Sequence, residues 1–429
     1  MVRTAVAAAA IAACARAMPP GDSTQAGAGA RGLSMRDALQ SVMRVHNIPV
    51  VYVDSDVDDW RVAAACGRCS PEQALDSLLA GTDLIWMKIG DQYLVTRPGR
   101  LGRHVPAILS GRVEEAETRR PLENAVVFFA GTTIGTSTGA GGVFKLPVTL
   151  VGAVDLVVSL VGYESRVLRI DAEANNGMAL TIPLVPRTIE QDTVVVPGAR
   201  RPEWERDFAD FQKAFIGTGE CAEGCRLLNP WVIELSRRGD TLVAWSDSLI
   251  WMENVLLGYR MCGILRTFEW DIARDRGEWL MHVFFRDLPP ESPDERLEWN
   301  ACRRRLYRGS LVHFLRACVN GRVEGEGFEI RSGERLQFNA RWRVIPGDSM
   351  RMTPHPGARS LEFRYPRWLR VDALAYGWNH AFVRVEGPFA LVDSTGALEN
   401  PLSVKLGGRW ADDRAGSLLP LDYVLEESP

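Results

Sequence analysis

Two sets of side chains in this 429-residue chain have the types and spacing to do chemistry. The first is Cys66-Gly67-Arg68-Cys69, set just before Ser70-Pro71-Glu72-Gln73. The latter reads as a capping box with proline at the first helical position. A C-x-x-C beside a helix N-terminus lowers a thiol pKa and supports disulfide exchange. The redox motif, however, sits at a strand-to-helix junction of a βαβ unit, whereas this pair falls in a connecting loop. A structural disulfide is the expected reading, with exchange chemistry, or a four-cysteine zinc site shared with Cys221 and Cys225, as alternatives. Cys221 and Cys225 flank a three-residue turn and are a candidate pair themselves. Cys302 and Cys318 are expected on one helix, where sixteen residues at 1.5 Å place them about 24 Å apart, too far to bond. Setting Cys14 aside leaves an odd number of cysteines and therefore at least one unpaired thiol.

The second set is Tyr307, Ser310 and His313, within Arg303-Arg304-Arg305-Leu306-Tyr307-Arg308-Gly309-Ser310-Leu311-Val312-His313-Phe314. A hydroxyl close to an imidazole suggests an activated nucleophile with a base to take its proton. Read as one helix, Tyr307, Ser310 and Phe314 share a face. No G-x-S-x-G elbow surrounds the serine, and no acidic residue stands out as an orienter. Helix-on-sheet packing is therefore the expected role, and these residues are weak catalytic candidates.

Other chemistries lack their residues. The six histidines are scattered without H-x-x-E or H-E-x-x-H spacing, so no metal or cofactor is expected. Gly139-Ala140-Gly141-Gly142 opens a strand rather than a helix and reads as a turn, not a phosphate loop. A net charge of −4 gives no reason to expect nucleic acid or an anionic membrane as partner. Thirteen tryptophans are many; most should fill cores, with an exposed subset marking a binding face.

The N-terminus reads as an export signal over residues 1–17, with Arg3, an apolar Ala5–Ala13 and an Ala15-Arg16-Ala17 cleavage site. Ile11-Ala12-Ala13-Cys14 alternatively resembles a lipobox that would end the signal at residue 13 and leave Cys14 as a lipid anchor. Residues 18–32 form a flexible leader. No other stretch reaches the roughly 18 apolar residues of a spanning helix.

Beyond the leader, length and patterning point to about three domains at about 100–200 residues each. Residues 33–97 alternate two helices with short strands and a hairpin over Leu84–Ile89 and Tyr93–Thr96. The Ile48–Tyr52 strand, Ser70-Pro71-Glu72-Gln73-Ala74-Leu75 and Leu78-Leu79-Ala80-Gly81-Thr82 resemble the secretin and TonB N-terminal short domain. That resemblance implies a domain of the kind that lies on the periplasmic side of outer-membrane secretins and receptors and contacts other proteins, with an outer-membrane channel or receptor as the candidate partner here. Residues 107–185 are short β-branched runs between glycine-rich turns. Pro121-Leu122-Glu123-Asn124-Ala125-Val126, Gly135-Thr136-Ser137-Thr138 and Val161-Gly162-Tyr163-Glu164 resemble the carboxypeptidase-regulatory-like domain, a transthyretin-like sandwich without peptidase activity. Ala140-Gly141-Gly142-Val143-Phe144 departs from that family's Asp-Gly before the Phe strand. Residues 186–202 read as a linker.

Residues 203–429 read as a β-rich α+β domain with one long helix, Pro293–Val319. Phe215-Ile216-Gly217-Thr218, Cys225-Arg226-Leu227-Leu228-Asn229-Pro230 and Leu418-Leu419-Pro420-Leu421-Asp422-Tyr423 resemble the C-terminal part of exported carboxypeptidase-like-regulatory-domain proteins. That resemblance implies no reaction. The whole reads as a multidomain α+β and all-β chain, an exported accessory protein of the periplasm or outer membrane that docks to envelope proteins. An envelope hydrolase and a structural surface protein are the alternatives. No run of strands suggests a barrel of the chain's own.

Overall fold

The computed structural model describes residues 33–425, apart from segments 53–56, 58–59, 63–68, 90–91, 97–106, 149–152, 172–178, 188–201, 337–340 and 356–359 and residues 47, 49, 83, 351 and 394. Cys14, Cys66, the expected signal and leader, and most of the expected linker lie outside the described residues. Strands gathered in several sheets dominate, with few helices.

The first unit sets two helices against a small sheet. Helix α1 (Met35–His46) buries Met35, Ala38, Leu39 and Val42, the stripe that helical periodicity selects. Helix α2 (Pro71–Leu79) starts at the capping box. Ser70 Oγ accepts the Gln73 N–H at 3.2 Å, and the Gln73 side chain accepts the Ser70 N–H at 3.1 Å. Gln92–Thr96 is the central strand, parallel to Val50–Tyr52 and antiparallel to Ile85–Ile89.

The second unit is a sandwich. One sheet orders Arg166–Asp171, Ala153–Ser159, Val126–Phe129 and Gly135–Ser137; the other orders Ala179–Leu184, Ala107–Glu115 and Val143–Val148. Inward-facing Val127, Phe129, Leu146, Leu156 and Val158 fill the space between the two sheets.

The remaining residues enclose two cores rather than one. The first gathers Phe211, Phe215, Met261, Phe268 and Phe285 beneath a long hairpin of Tyr259–Asp271 and Arg276–Asp287. The second gathers Phe314, Phe328, Leu369, Val371 and Val383 beneath a five-stranded sheet. Three expectations change here. The single helix over Pro293–Val319 is two, α4 (Pro293–Tyr307) on the first core and α5 (Leu311–Val319) on the second. Gly309, at φ +79°, turns the chain between them, a conformation that only glycine adopts without strain. Helix α3 (Pro202–Ile216) begins at the end of the expected linker, with proline among its first residues and Glu203 and Glu205 in its first turn. Trp378–Val385 adds a strand that was not expected, pairing with Trp368–Ala373 and with Val404–Gly408.

The sandwich is welded to the first core. The Gly131 N–H donates to Val283 O at 2.6 Å, and the Phe285 N–H donates to Thr132 O at 3.0 Å. Phe128 meets Phe284 at a ring separation of 5.4 Å, with Val157 and Ile264 buried around them. The C-terminal tail locks this joint. The Leu421 N–H donates to Gly131 O at 2.7 Å, and Asp422 accepts both the backbone N–H and the hydroxyl of Thr133.

Arg316 on α5 binds the same tail. Its guanidinium donates to Leu421 O at 2.6 Å, to Tyr423 O and Tyr307 Oη at 3.1 Å each, and to Thr395 O. Replacing Arg316 by leucine strands these acceptors and should cost about 2–4 kcal/mol. In urea, the variant's unfolding midpoint should fall, and limited proteolysis should cut within 418–425 before it cuts the sandwich.

Candidate functional site

Ser310, His313 and Tyr307 meet at the break between α4 and α5. Ser310 is the N-cap of α5, and its hydroxyl accepts the His313 backbone N–H at 3.1 Å. Both imidazole nitrogens of His313 have other partners. Nδ1 accepts the Gly309 N–H at 3.1 Å, which leaves the proton on Nε2, 3.3 Å from Glu326 Oε2. Burial holds the His313 pKa below its ordinary value despite Glu326, so the ring is neutral at neutral pH. Phe328, Tyr307 and Tyr376 surround it at 4.8, 5.0 and 5.6 Å. With its acceptor nitrogen spent on Gly309, the imidazole is not placed to take a proton from Ser310. The helix break also dissolves the face that one continuous helix would have given Tyr307, Ser310 and Phe314. Glu326, the carboxylate that orients the ring, lies 13 residues from it across a turn, beyond the reach of helical spacing.

The cysteines are paired differently from the sequence reading. Cys221 bonds Cys302, 81 residues away on α4, so the expected Cys221–Cys225 pair does not form. Cys221 has φ +62°, and the short turn after it leads Cys225 into a strand paired with Ile250–Asn254. Cys225 stays a buried thiol, its pKa pushed up to about 12 by desolvation, and is no nucleophile at neutral pH. Cys69 is described but its expected partner Cys66 is not. Among the described residues no cluster of His, Cys, Asp and Glu is arranged to hold a metal.

The disulfide anchors one wall of an open cleft of about 600 Å³. Buried Ile216, Ala222 and Cys225 line its floor; exposed Gln212, Lys213, Thr218 and Glu223 line its rim. Behind the neighbouring loop, Gly217 bridges Asp413, whose Oδ1 is buried without a hydrogen-bond partner. Desolvation raises the Asp413 pKa to about 6, against the pull of Arg409, whose Nε lies 3.8 Å from Oδ2. The lining of the cleft includes one protonated thiol, Cys225, and one exposed lysine, Lys213.

A third feature is aromatic. Trp231, Trp245 and Trp251 are 66%, 43% and 38% exposed. Hydrogen bonds tie their loops together: Asn229 bonds Leu249 O and the Trp251 N–H, and Ser246 Oγ donates to Val232 O at 2.9 Å. Trp245 and Trp251 alternate with the buried Ala244 and Met252, so both stand on the outer side of their sheet.

Residues 109–196 match the CarboxypepD_reg-like domain family. They include the whole sandwich from Leu109 onward. No curated protein sequence matches the chain. A crystal structure of a membrane-associated protein of unknown function from Bacteroides fragilis is 9% identical, covering 67% of this chain and 91% of that one. Its TM-score of 0.15 carries no argument about fold. Just past its last strand, the CarboxypepD_reg-like domain touches the tryptophan loops, where the Arg187 guanidinium donates to Asp247 O.

Two outcomes test this geometry. If Ser310 is a cap, Ser310→Ala should lower stability by about 1 kcal/mol in a denaturant titration. Asp413 titrates in the opposite sense from a salt-bridged carboxylate. Its folded pKa of about 6 lies above the ordinary 3.8, so the stability it contributes is complete below that value and is lost as pH rises through 6. Asp413→Asn should therefore gain on the parent as pH rises from about 4 to 6 and hold that gain, about 1–3 kcal/mol, at pH 7. Melting curves across pH 4–8 check this.

Proposed function

We propose that this chain is a non-enzymatic binding and accessory protein of the bacterial envelope, exported to the periplasm or held at the outer membrane. Its first unit docks to an envelope protein, its CarboxypepD_reg-like domain is a fixed spacer, and its C-terminal residues present the recognition surface. The observation that carries this reading is the weld between the sandwich and the first C-terminal core, made by paired backbone, buried aromatic rings and the tail. A hinged sandwich would serve a moving catalytic lid. A welded one fixes the sandwich against the recognition surface, as a spacer requires. The exposed tryptophans fit a recognition surface, because large rigid rings supply contact area at little entropic cost. The hydrolase alternative loses support because its serine is engaged in capping and the acceptor nitrogen of its histidine is taken by the Gly309 N–H. Among the described residues no helix is long and apolar enough to cross a membrane, which says nothing about a barrel partner.

Crosslinking and pull-down of the tagged chain from intact envelopes tests the proposal. Recovery of one outer-membrane channel or receptor, abolished by deleting residues 33–97 and unaffected by Ser310→Ala, is the expected result. Unchanged envelope association after that deletion would count against docking through the first unit. Failure to recover any reproducible partner would favour a purely structural surface protein.

A further inference from the structure

The cleft beside the disulfide has fixed walls and two unlike surfaces. One wall is the end of α3, which supplies Ala209, Gln212, Lys213 and Ile216. The other is the turn from Gly217 to Cys225, which supplies Thr218, Ala222 and Glu223. The Ala222 N–H donates to Gly219 O at 3.1 Å, Ser417 Oγ donates to Glu220 O at 3.0 Å, and Asn254 donates to Cys221 O at 2.9 Å. The bond to Cys302 ties the same turn to α4. A Cβ on Gly219 would lie 2.5 Å from Ser417 Oγ, so the turn sits directly on the tail. A wall held in this way has its shape before any ligand arrives, which lowers the entropic cost of binding.

Buried Ile216, Ala222 and Cys225 make the floor apolar. On the exposed rim, the side chains of Gln212, Lys213, Thr218 and Glu223 make no hydrogen bond or ion pair among the described residues. Lys88 and Lys405, by contrast, each stand beside a glutamate of the chain, Glu72 and Glu386. A single exposed lysine or glutamate is an ordinary solvated charge. A lysine and a glutamate left open on one cleft complement a molecule that carries both charges. An apolar floor under a few polar groups, in a volume of roughly 300–1,000 Å³, is the composition of a small-molecule site. At about 600 Å³ this cleft has room for more than one amino-acid residue. The amide of Gln212 and the hydroxyl of Thr218 can each donate and accept, which matches the needs of a peptide group.

We propose that this cleft binds a short peptide with free ends, its ammonium on Glu223, its carboxylate on Lys213 and an apolar side chain on the floor. The site stands apart from the protein-partner reading, since it uses neither the first unit nor the tryptophans. Calorimetric titration of the purified full chain with trialanine and with alanyl-leucyl-alanine tests it. Saturable binding at one site is expected, with a dissociation constant on the order of 0.1–1 mM. Glu223→Gln should weaken both peptides about tenfold, the loss of one charge-assisted hydrogen bond. The N-acetylated peptides, which lack the ammonium, should bind parent and Glu223→Gln alike. Lys213→Met should weaken the free peptides to a similar extent, and peptides ending in an amide should bind parent and Lys213→Met alike. Ala209→Trp, which fills the cleft from an exposed helical position, should abolish binding. All three positions are exposed, so thermal melts should match the parent and show that each variant folds. Free alanine, whose two charges sit on one carbon, should bind at least about tenfold more weakly than either peptide. Absence of saturable binding at about 10 mM peptide would overturn the proposal. Blocked peptides that bind as well as free ones would overturn it, as would unchanged binding by any of the three variants. Equal binding by free alanine would also overturn it, by revealing a site for a single amino acid.

Discussion

The arrangement of the C-terminal half depends on a tail that forms almost no regular structure of its own. From Arg414 to Tyr423 the backbone runs between the sandwich and the two cores, where unpaired peptide groups are costly. Side chains reaching in from the surrounding elements meet that demand. Asn254 donates to Gly416 O at 2.8 Å and to Cys221 O at 2.9 Å, joining the tail to the disulfide loop. The Ser417 hydroxyl donates to Glu220 O at 3.0 Å. Further along, Gly131 O and Thr133 of the sandwich take up Leu421 and Asp422, and Arg316 takes up the carbonyls of Leu421 and Tyr423. The three bodies hold their relation because each supplies partners to the same short segment.

Arginine is the recurring tool for this task. Arg303 donates to Leu257 O, Gly258 O and Asp287 while lying over the ring of Tyr259 at 3.8 Å. Arg414 donates to Ala214 O and faces Asp275 while lying over Trp270 at 4.4 Å. A guanidinium can satisfy several carbonyls at once from a planar fork and stack on an aromatic face, which a lysine ammonium cannot. The chain has only four lysines, and codon usage alone would explain that. The buried positions show, in addition, that arginine at these joints has a geometric role.

Legibility in the sequence followed the range of the interaction. The stripe of α1, the capping box of α2 and the hairpin after it are set by neighbours within a few residues, and all could be read. The short strands and turns of residues 107–185 were equally plain. Long-range features were not. Cys225 is the nearest partner of Cys221 along the chain, yet the bond goes to Cys302, chosen by how α4 packs on the first core. Trp378–Val385 carries a clear alternation, with Ala381, Val383 and Val385 buried, but it follows directly on a turn at Gly377 and pairs with strands far along the chain. The polar start of α3, Pro-Glu-Trp-Glu-Arg, resembles a solvated linker until Phe211 and Phe215 are seen in a core.

The expected continuity of the helix through Ser310 has a physical origin of its own. A serine three residues before a histidine, just ahead of an apolar run, suggests a nucleophile and its base when the segment is treated as continuous helix. The same spacing separates an N-cap from the third helical residue, whose backbone N–H the serine oxygen accepts. Gly309 was the deciding signal. A glycine with positive φ ends α4, and the serine after it begins α5, so the hydroxyl points at the backbone rather than at a ring. Once His313 is turned inward by that start, its Nδ1 meets the Gly309 N–H and its Nε2 meets Glu326. What resembled a reactive pair is the corner at which the two C-terminal cores are joined, and a single glycine–serine step fixes it.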